Sequence, residues 1–281
     1  MTFSLDRFDL DTFVAATLAE DLGEAGDITS AAVIPADAVF EGVMDSRDAI
    51  VVAGLEFAEA FFRALDPDVA IERLVQDGDG VAAGTDLLRL RGKARALLTA
   101  ERSALNTVQH LSGIATLTRS YVDAIAGTGA ILLDTRKTLP GLRVLEKYAT
   151  RMGGATNHRM GLWDAAMIKD NHVAVAGSVG EAVRRAKASA GHLMKIEVEI
   201  DSLDQLEEAL KHGPDAVMLD NFSLEDLSEA VRRVAGRALL EASGGVNLET
   251  VRAIAETGVD VISVGALTHS ASVLDIGLDA D

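Results

Sequence analysis

Basic side chains gather in one stretch of an otherwise acidic chain. Between Asp134 and His172 stand Arg136, Lys137, Arg143, Lys147, Arg151, Arg159 and Lys169 against Asp134, Glu146, Asp164 and Asp170. That is a local positive surplus in a chain of formal net charge −18. Arg143, Lys147 and Arg151 fall at helical spacing and read as a solvated helix face. Arg136, Lys137 and Lys169 adjoin apolar runs, and a helix face does not account for them. Arginine and lysine hold carboxylates and phosphates, arginine engaging both oxygens of a planar carboxylate at once.

A second polar set follows downstream. Glu199 and Asp220, with Glu197 as the weaker choice, can accept from sugar hydroxyls or help hold Mg²⁺, which prefers oxygen ligands. Ser243, Gly244, Gly245 and Gly265 can present backbone N–H groups to a phosphate. The combined chemistry is that of a phosphosugar plus a carboxylated partner. Taken singly, each residue has a plainer reading: Asp220 as a helix cap or rim ion pair, the glycines as a tight turn, His158 and His269 as surface histidines.

Elements must bring these residues together. Six short apolar runs, at 131–133, 165–168, 196–200, 216–219, 238–240 and 261–264, alternate with helix-like stretches, the last four at intervals of about 20 residues. Such βα repetition requires parallel strands, and strands buried on both faces read as continuous apolar runs. Polar residues end nearly every run: Asp134, Arg136 and Lys137; Lys169 with Asp170, Asn171 and His172; Asp220 and Asn221; Glu241 and Ser243; Gly265, with Thr268 and His269 beyond. An open sheet would concentrate them at one switch point, so a barrel is favoured. The first third mixes short strands (49–52, 87–90) with a helix (55–65) and reads as an α+β domain. A long helical pattern at 94–126, broken near Ser112 and Gly113, carries the chain onward. The expected division is residues 1–109, residues 110–270 and a tail, 271–281, packing back on the first domain.

Composition narrows the function. The absence of cysteine removes disulfides, thiolate metal sites and a cysteine nucleophile. The acidic balance opposes nonspecific binding to nucleic acid or anionic membrane. No apolar run reaches the roughly 18 residues that span a bilayer. The start, MTFSLDRFDLDTF, lacks the basic and long apolar segments of a secretory signal, so a cytoplasmic location is expected.

Eight segments, in order, resemble the quinolinate phosphoribosyltransferase family: EDLGEAGDITS (20–30), ERSALN (101–106), DTRKTLPGLR (134–143), GGATNHRMGLWDAAMIKDNH (153–172), EVEID (197–201), LDNF (219–222), EASGGV (241–246) and GVDVISVGALTHS (258–270). The resemblance implies an α/β fold, an N-terminal α+β sandwich domain plus a C-terminal incomplete, seven-stranded α/β barrel, assembled as a homodimer or larger homo-oligomer. It also implies a decarboxylating transfer in NAD biosynthesis: quinolinate and phosphoribosyl pyrophosphate give nicotinate mononucleotide, pyrophosphate and CO2. By matching motif, Arg136, His158, Arg159 and Lys169, with Arg102 from a neighbouring subunit, would hold the two carboxylates. Thr135 and Lys137 would sit where the substrates meet. Glu199 and Asp220 would face the ribose hydroxyls and Mg²⁺. Ser243, Gly244, Gly245, Gly265 and His269, flanked by Val264 and Ala266, would surround the 5′-phosphate. Lys137, Lys169, Glu199 and Asp220 carry the catalytic roles. The departures are Ser103, where threonine is frequent, and Trp163 before Asp164. Rival readings are the molybdenum-transport-associated paralogue of the same fold, a non-catalytic phosphosugar-binding protein, and an aldolase-like barrel with Lys137 or Lys169 as Schiff-base lysine.

Overall fold

The computed structural model describes residues 8–281. The expectation about a secretory leader falls partly on residues 1–7, outside the described residues. Among those described, no helix is long and apolar enough to cross a membrane. The chain divides into two compact units, one of Met1–Leu117, Val144–Gly154 and Ser270–Asp281, the other of Thr118–Arg143 and Ala155–His269.

The first unit begins with α1 (Leu10–Leu22) and α2 (Ile28–Val33), started by Asp9 and Asp27, whose carboxylates accept the N–H groups of Thr12 and Ser30. Such caps satisfy donors that the first turn leaves without partners. There follow β1 (Val39–Ser46), β2 (Ile50–Val51), α3 (Leu55–Leu65), β3 (Ala70–Arg73), β4 (Gly80–Val81), β5 (Thr85–Lys93) and α4 (Ala94–Ala124). Strands β3, β5 and β1 pair antiparallel, and β12 (Ile276–Ala280) from the chain's far end completes a four-stranded sheet beside β1. Strands β2 and β4 form a separate pair. From α3, Leu55, Ala58, Phe61 and Phe62 enter the core beside Leu87, Leu88 and Ile276. This is the 3.6-residue stripe a surface helix must bury.

Helix α4 runs through Ser112 and Gly113 without the expected break. The buried Ser112 hydroxyl accepts the Ala53 N–H at 3.0 Å, so its polarity is met inside the packing. At Gly113 an added Cβ would stand 2.0 Å from the Ser272 carbonyl oxygen. The pair marks a close approach of backbone, not a helix end.

Helix α5 (Arg143–Met152) bears the three helically spaced cations, but it is not the exposed face expected: Lys147 is fully buried, as is Glu146. His110 Nε2 lies 2.9 Å from Glu146 Oε1, and the Tyr148 hydroxyl donates to Asp77 at 2.5 Å. Asp77 also accepts the N–H groups of Gly54 and Leu55 at the start of α3.

The second unit is built on β6 (Ile131–Leu133), β7 (Ala166–Ile168), β8 (Ile196–Ile200), β9 (Ala216–Asp220), β10 (Leu239–Ser243) and β11 (Val261–Ser263). They form one sheet of order β6-β11-β10-β9-β8-β7, parallel throughout. The helices between them are α6 (Asp170–Ala176), α7 (Val179–Ser189), α8 (Leu203–His212), α9 (Leu224–Val234), α10 (Val251–Glu256) and α11 (Ala266–His269). In α9, Ser223 caps the start, Glu225 and Asp226 follow, and Arg232 and Arg233 close the last turn, the order that the helix dipole favours. The sheet is that of an incomplete barrel with six strands. In place of the expected seventh there is a single parallel bridge between Leu133 and Thr156. Two residues further on, the His158 N–H goes to the Asp134 side chain at 2.8 Å and is lost to any ladder.

Candidate active site

Parallel strands deliver their C-terminal ends to one face, where a cavity of about 310 Å³ opens. Of the residues singled out in the sequence, Thr135, Arg136, Lys137, His158, Arg159, Lys169, Glu199, Asp220 and Ser243 line it. Arg136, Arg159 and Lys169 also line a neighbouring cavity, together with His172 and Arg185. Arg102 lies in the other unit, on α4, 60% exposed and 4.0 Å from Glu101.

The cationic wall is held by buried polar contacts. Asp134, fully buried at the end of β6, accepts Asn157 Nδ2 at 2.6 Å as well as the His158 N–H. That fixes the loop carrying Arg159. Arg143 bonds Thr138 and the Met160 carbonyl, tying together the two segments that bear Arg136 and Arg159. Burial, then the charge of Arg136, lowers the pKa of Arg159. Arg136 Nε is buried with no hydrogen-bond partner among the described residues.

Carboxylates line the same cavity. Lys169 Nζ donates to Glu199 Oε2 at 2.6 Å. Burial, then the charge of Glu199, raises the pKa of Asp220. Two carboxylates facing a shared space accommodate a cation or hydroxyl donors.

Two glycine turns adjoin the cavity-lining residues Ser243 and Lys137. Gly244 and Gly245 follow β10 at φ +88° and +63°, where residues with a Cβ are disfavoured. A Cβ on Gly265 would meet Lys137 Cδ at 2.8 Å and His269 Nε2 at 3.2 Å, so Gly265, Lys137 and His269 converge. Thr268 Oγ1 donates to the Lys137 carbonyl at 2.7 Å, and the Val264 N–H to the Leu133 carbonyl at 3.0 Å. Ala266 begins α11.

Comparison with known proteins assigns this architecture. Residues 27–112 match the family model for the quinolinate phosphoribosyl transferase N-terminal domain, and residues 114–279 match the C-terminal domain. The chain belongs to the quinolinate phosphoribosyltransferase family. It is 49% identical over 274 residues to the nicotinate-nucleotide pyrophosphorylase (carboxylating) of Mycobacterium leprae, covering 95% of each chain. It is 43% identical over 260 residues to the probable enzyme of that name from Bacillus subtilis, covering 92% of this chain and 89% of the relative. The structure of the Francisella tularensis nicotinate-nucleotide pyrophosphorylase superposes with a TM-score of 0.93 at 40% identity, covering 100% of both chains.

In this member of the quinolinate phosphoribosyltransferase family the cavity floor holds a cluster that the sequence reading did not assemble. His158 Nε2 lies 3.4 Å from Glu197 Oε2 and 3.3 Å from Glu241 Oε2. Burial opposes charging the ring, but the two carboxylates outweigh it and push the His158 pKa up to about 9. An imidazolium would have to give up the Arg159 N–H that Nδ1 accepts at 2.6 Å. That hydrogen bond fixes the neutral ring as the tautomer with its proton on Nε2, between the carboxylates. Burial raises the pKa of Glu197. The three ligand atoms lie within 4.8 Å of one another, so a metal ion could stand there once the Nε2 proton is lost. His158 turns both ring nitrogens to protein atoms while its side chain also lines the cavity.

Met167, Met218 and Ser263 also line the cavity. Their place at the ends of apolar strands is the only sequence signal for them. Trp163 is 58% exposed, and its indole nitrogen lies where a Cβ on Gly161 would come within 2.4 Å.

Proposed function

We propose that the cavity joins quinolinate to the phosphoribosyl group of phosphoribosyl pyrophosphate and releases pyrophosphate and CO2. One observation carries the reading: Arg136 and Arg159 are brought together at a cost to Arg159, with Arg136 Nε left without a partner, in a small cavity that Glu199 and Asp220 also line. A planar dicarboxylate relieves the arginines, and ribose hydroxyls suit the carboxylates.

In this reading Arg136, His158, Arg159 and Lys169 hold the carboxylates, joined by Arg102 from a second copy of the chain. Thr135, whose hydroxyl accepts the Lys137 N–H at 3.0 Å, fixes the turn where the substrates meet. Ser243, Gly244, Gly245, Gly265 and His269 take the 5′-phosphate. The pyridine nitrogen attacks the anomeric carbon, and the bond to pyrophosphate breaks. Lys137 sits beside the departing charge. The carboxylate next to the quaternised nitrogen then leaves as CO2, its bonding pair stays on the ring carbon beside the positive charge, and that carbon takes up a proton from water to give nicotinate mononucleotide. Glu199 and Asp220 supply the oxygen donors Mg²⁺ prefers, and would hold it with substrate oxygens. When bound, that ion neutralises developing pyrophosphate charge. Lys169, already ion-paired with Glu199, lacks the setting of an activated amine nucleophile, which disfavours the Schiff-base alternative.

The test is incubation of the purified protein with quinolinate, phosphoribosyl pyrophosphate and Mg²⁺, followed by chromatography for nicotinate mononucleotide. Nicotinate in place of quinolinate should lower kcat/KM by about tenfold or more, because one charged contact is lost. Equal turnover of the two would refute the dicarboxylate assignment.

A further inference from the structure

Asn221 follows Asp220 at the end of β9 and has φ +57°, a left-handed backbone in a residue that carries a Cβ. Asparagine tolerates this region better than most residues, but a position that keeps it there has a reason in its contacts. Three contacts supply it. The Asn221 N–H donates to the Ser243 carbonyl at 2.9 Å, extending the β9–β10 ladder one residue past the Asp220–Ser243 pair. Its Nδ2 donates to Asp220 Oδ2 at 2.8 Å. Its amide also lies flat on Gly244: a Cβ there would come within 2.3 Å of Oδ1 and 2.6 Å of Cγ. Glycine at 244 is thus required twice, by φ +88° and by the amide above it.

We propose that Asn221 is a positioning residue for the phosphoribosyl group. It fixes the distance between the Asp220 carboxylate, which faces the ribose, and the Gly244 turn, which faces the 5′-phosphate. One rigid amide spans both contacts, so sugar and phosphate meet a pre-set frame. This rests on the reading of the cavity given above and adds a residue to it. Loss of the side chain should weaken the phosphoribosyl substrate and leave the pyridine dicarboxylate untouched, since Arg136 and Arg159 do not contact it through Asn221.

Asn221→Gly removes the side chain and relieves the left-handed strain, so it tests contact without loss of fold. Asn221→Asp keeps the shape but sets an acceptor against Asp220. For each variant, kcat and the KM of both substrates are measured, with calorimetric titration of ribose 5-phosphate. Both should raise the phosphoribosyl pyrophosphate KM and the ribose 5-phosphate dissociation constant about tenfold or more, with the quinolinate KM unchanged within about twofold. Gly244→Ala should also lose affinity, and the two losses should be non-additive in Asn221→Gly/Gly244→Ala, where the amide no longer collides. Equal changes for both substrates, no change for either, or full additivity overturns the inference. If the parent protein binds ribose 5-phosphate but makes no nucleotide, the reaction assignment fails alone, and the titration still decides the role of Asn221. Absence of ribose 5-phosphate binding by the parent overturns both.

Discussion

Lys169 and Glu199 form a 2.6 Å ion pair between the residue just after β7 and the adjacent strand β8, at the edge of the cavity. The lysine also offsets the repulsion between Glu199 and Asp220. Lys169 is 47% exposed, and in the proposed reading substrate shares its charge with Glu199. Lys169→Met should therefore lower kcat/KM about a hundredfold, the effect of one lost charged hydrogen bond in a confined site. Lys169→Arg should retain more. Steady-state kinetics with each substrate varied will show whether charge or shape matters at this position.

Arg102 bears on assembly. Mixing Arg102→Ala with Arg136→Ala protein should restore about a quarter of the parent activity once subunits of a twofold dimer exchange freely, because half the mixed dimers' sites are intact. Native mass spectrometry confirms exchange. Exchange without recovered activity would sink the shared-site reading.

Gly113 offers a reversal of the usual helix rule. Alanine inside a helix normally gains about 0.5–1 kcal/mol over glycine. Here the Ser272 carbonyl occupies the space, so Gly113→Ala should lower the unfolding midpoint by several degrees. Gly129→Ala, where nothing stands within 4 Å, should leave it nearly unchanged.

Asp27 lies in the EDLGEAGDITS segment, yet its observed role is structural: it caps α2 and accepts Thr99 Oγ1 at 2.9 Å. The hydrogen bonds from Ser30 and Thr99 hold its carboxyl below the usual 3.8. A depressed folded-state pKa gives stability that is present above 3.8 and lost as pH falls through the lower value. Asp27→Ala should melt earlier than the parent at neutral pH, and the gap should close in acid. A gap as wide in strong acid as at neutral pH contradicts this account.

The six strands of the second unit are legible in the sequence because a strand covered on both faces must be apolar along its length. The cationic and carboxylate walls are legible because those side chains sit at strand ends. Neighbourhood across strands is less so. Glu197 and Glu199 share a face by alternation, but only register shows that Glu199 stands level with Met218, and Met218 with Glu241. The loop pinned by Asp134 brings His158 to Glu241 and to Glu197, which stands one side-chain step below Glu199 on the same face. Lys147 misleads for a related reason: helical spacing shows that three cations share a face, not whether the face is covered.

The outermost strand of the antiparallel sheet is β12, made from the last few residues of the chain, while α5 reaches the same unit from the middle of the sequence. A ribosome therefore cannot deliver a finished first half. Its sheet stays one strand short until residues 276–280 have been made, so a nascent chain halted near residue 113 should expose β1 as an unpaired edge.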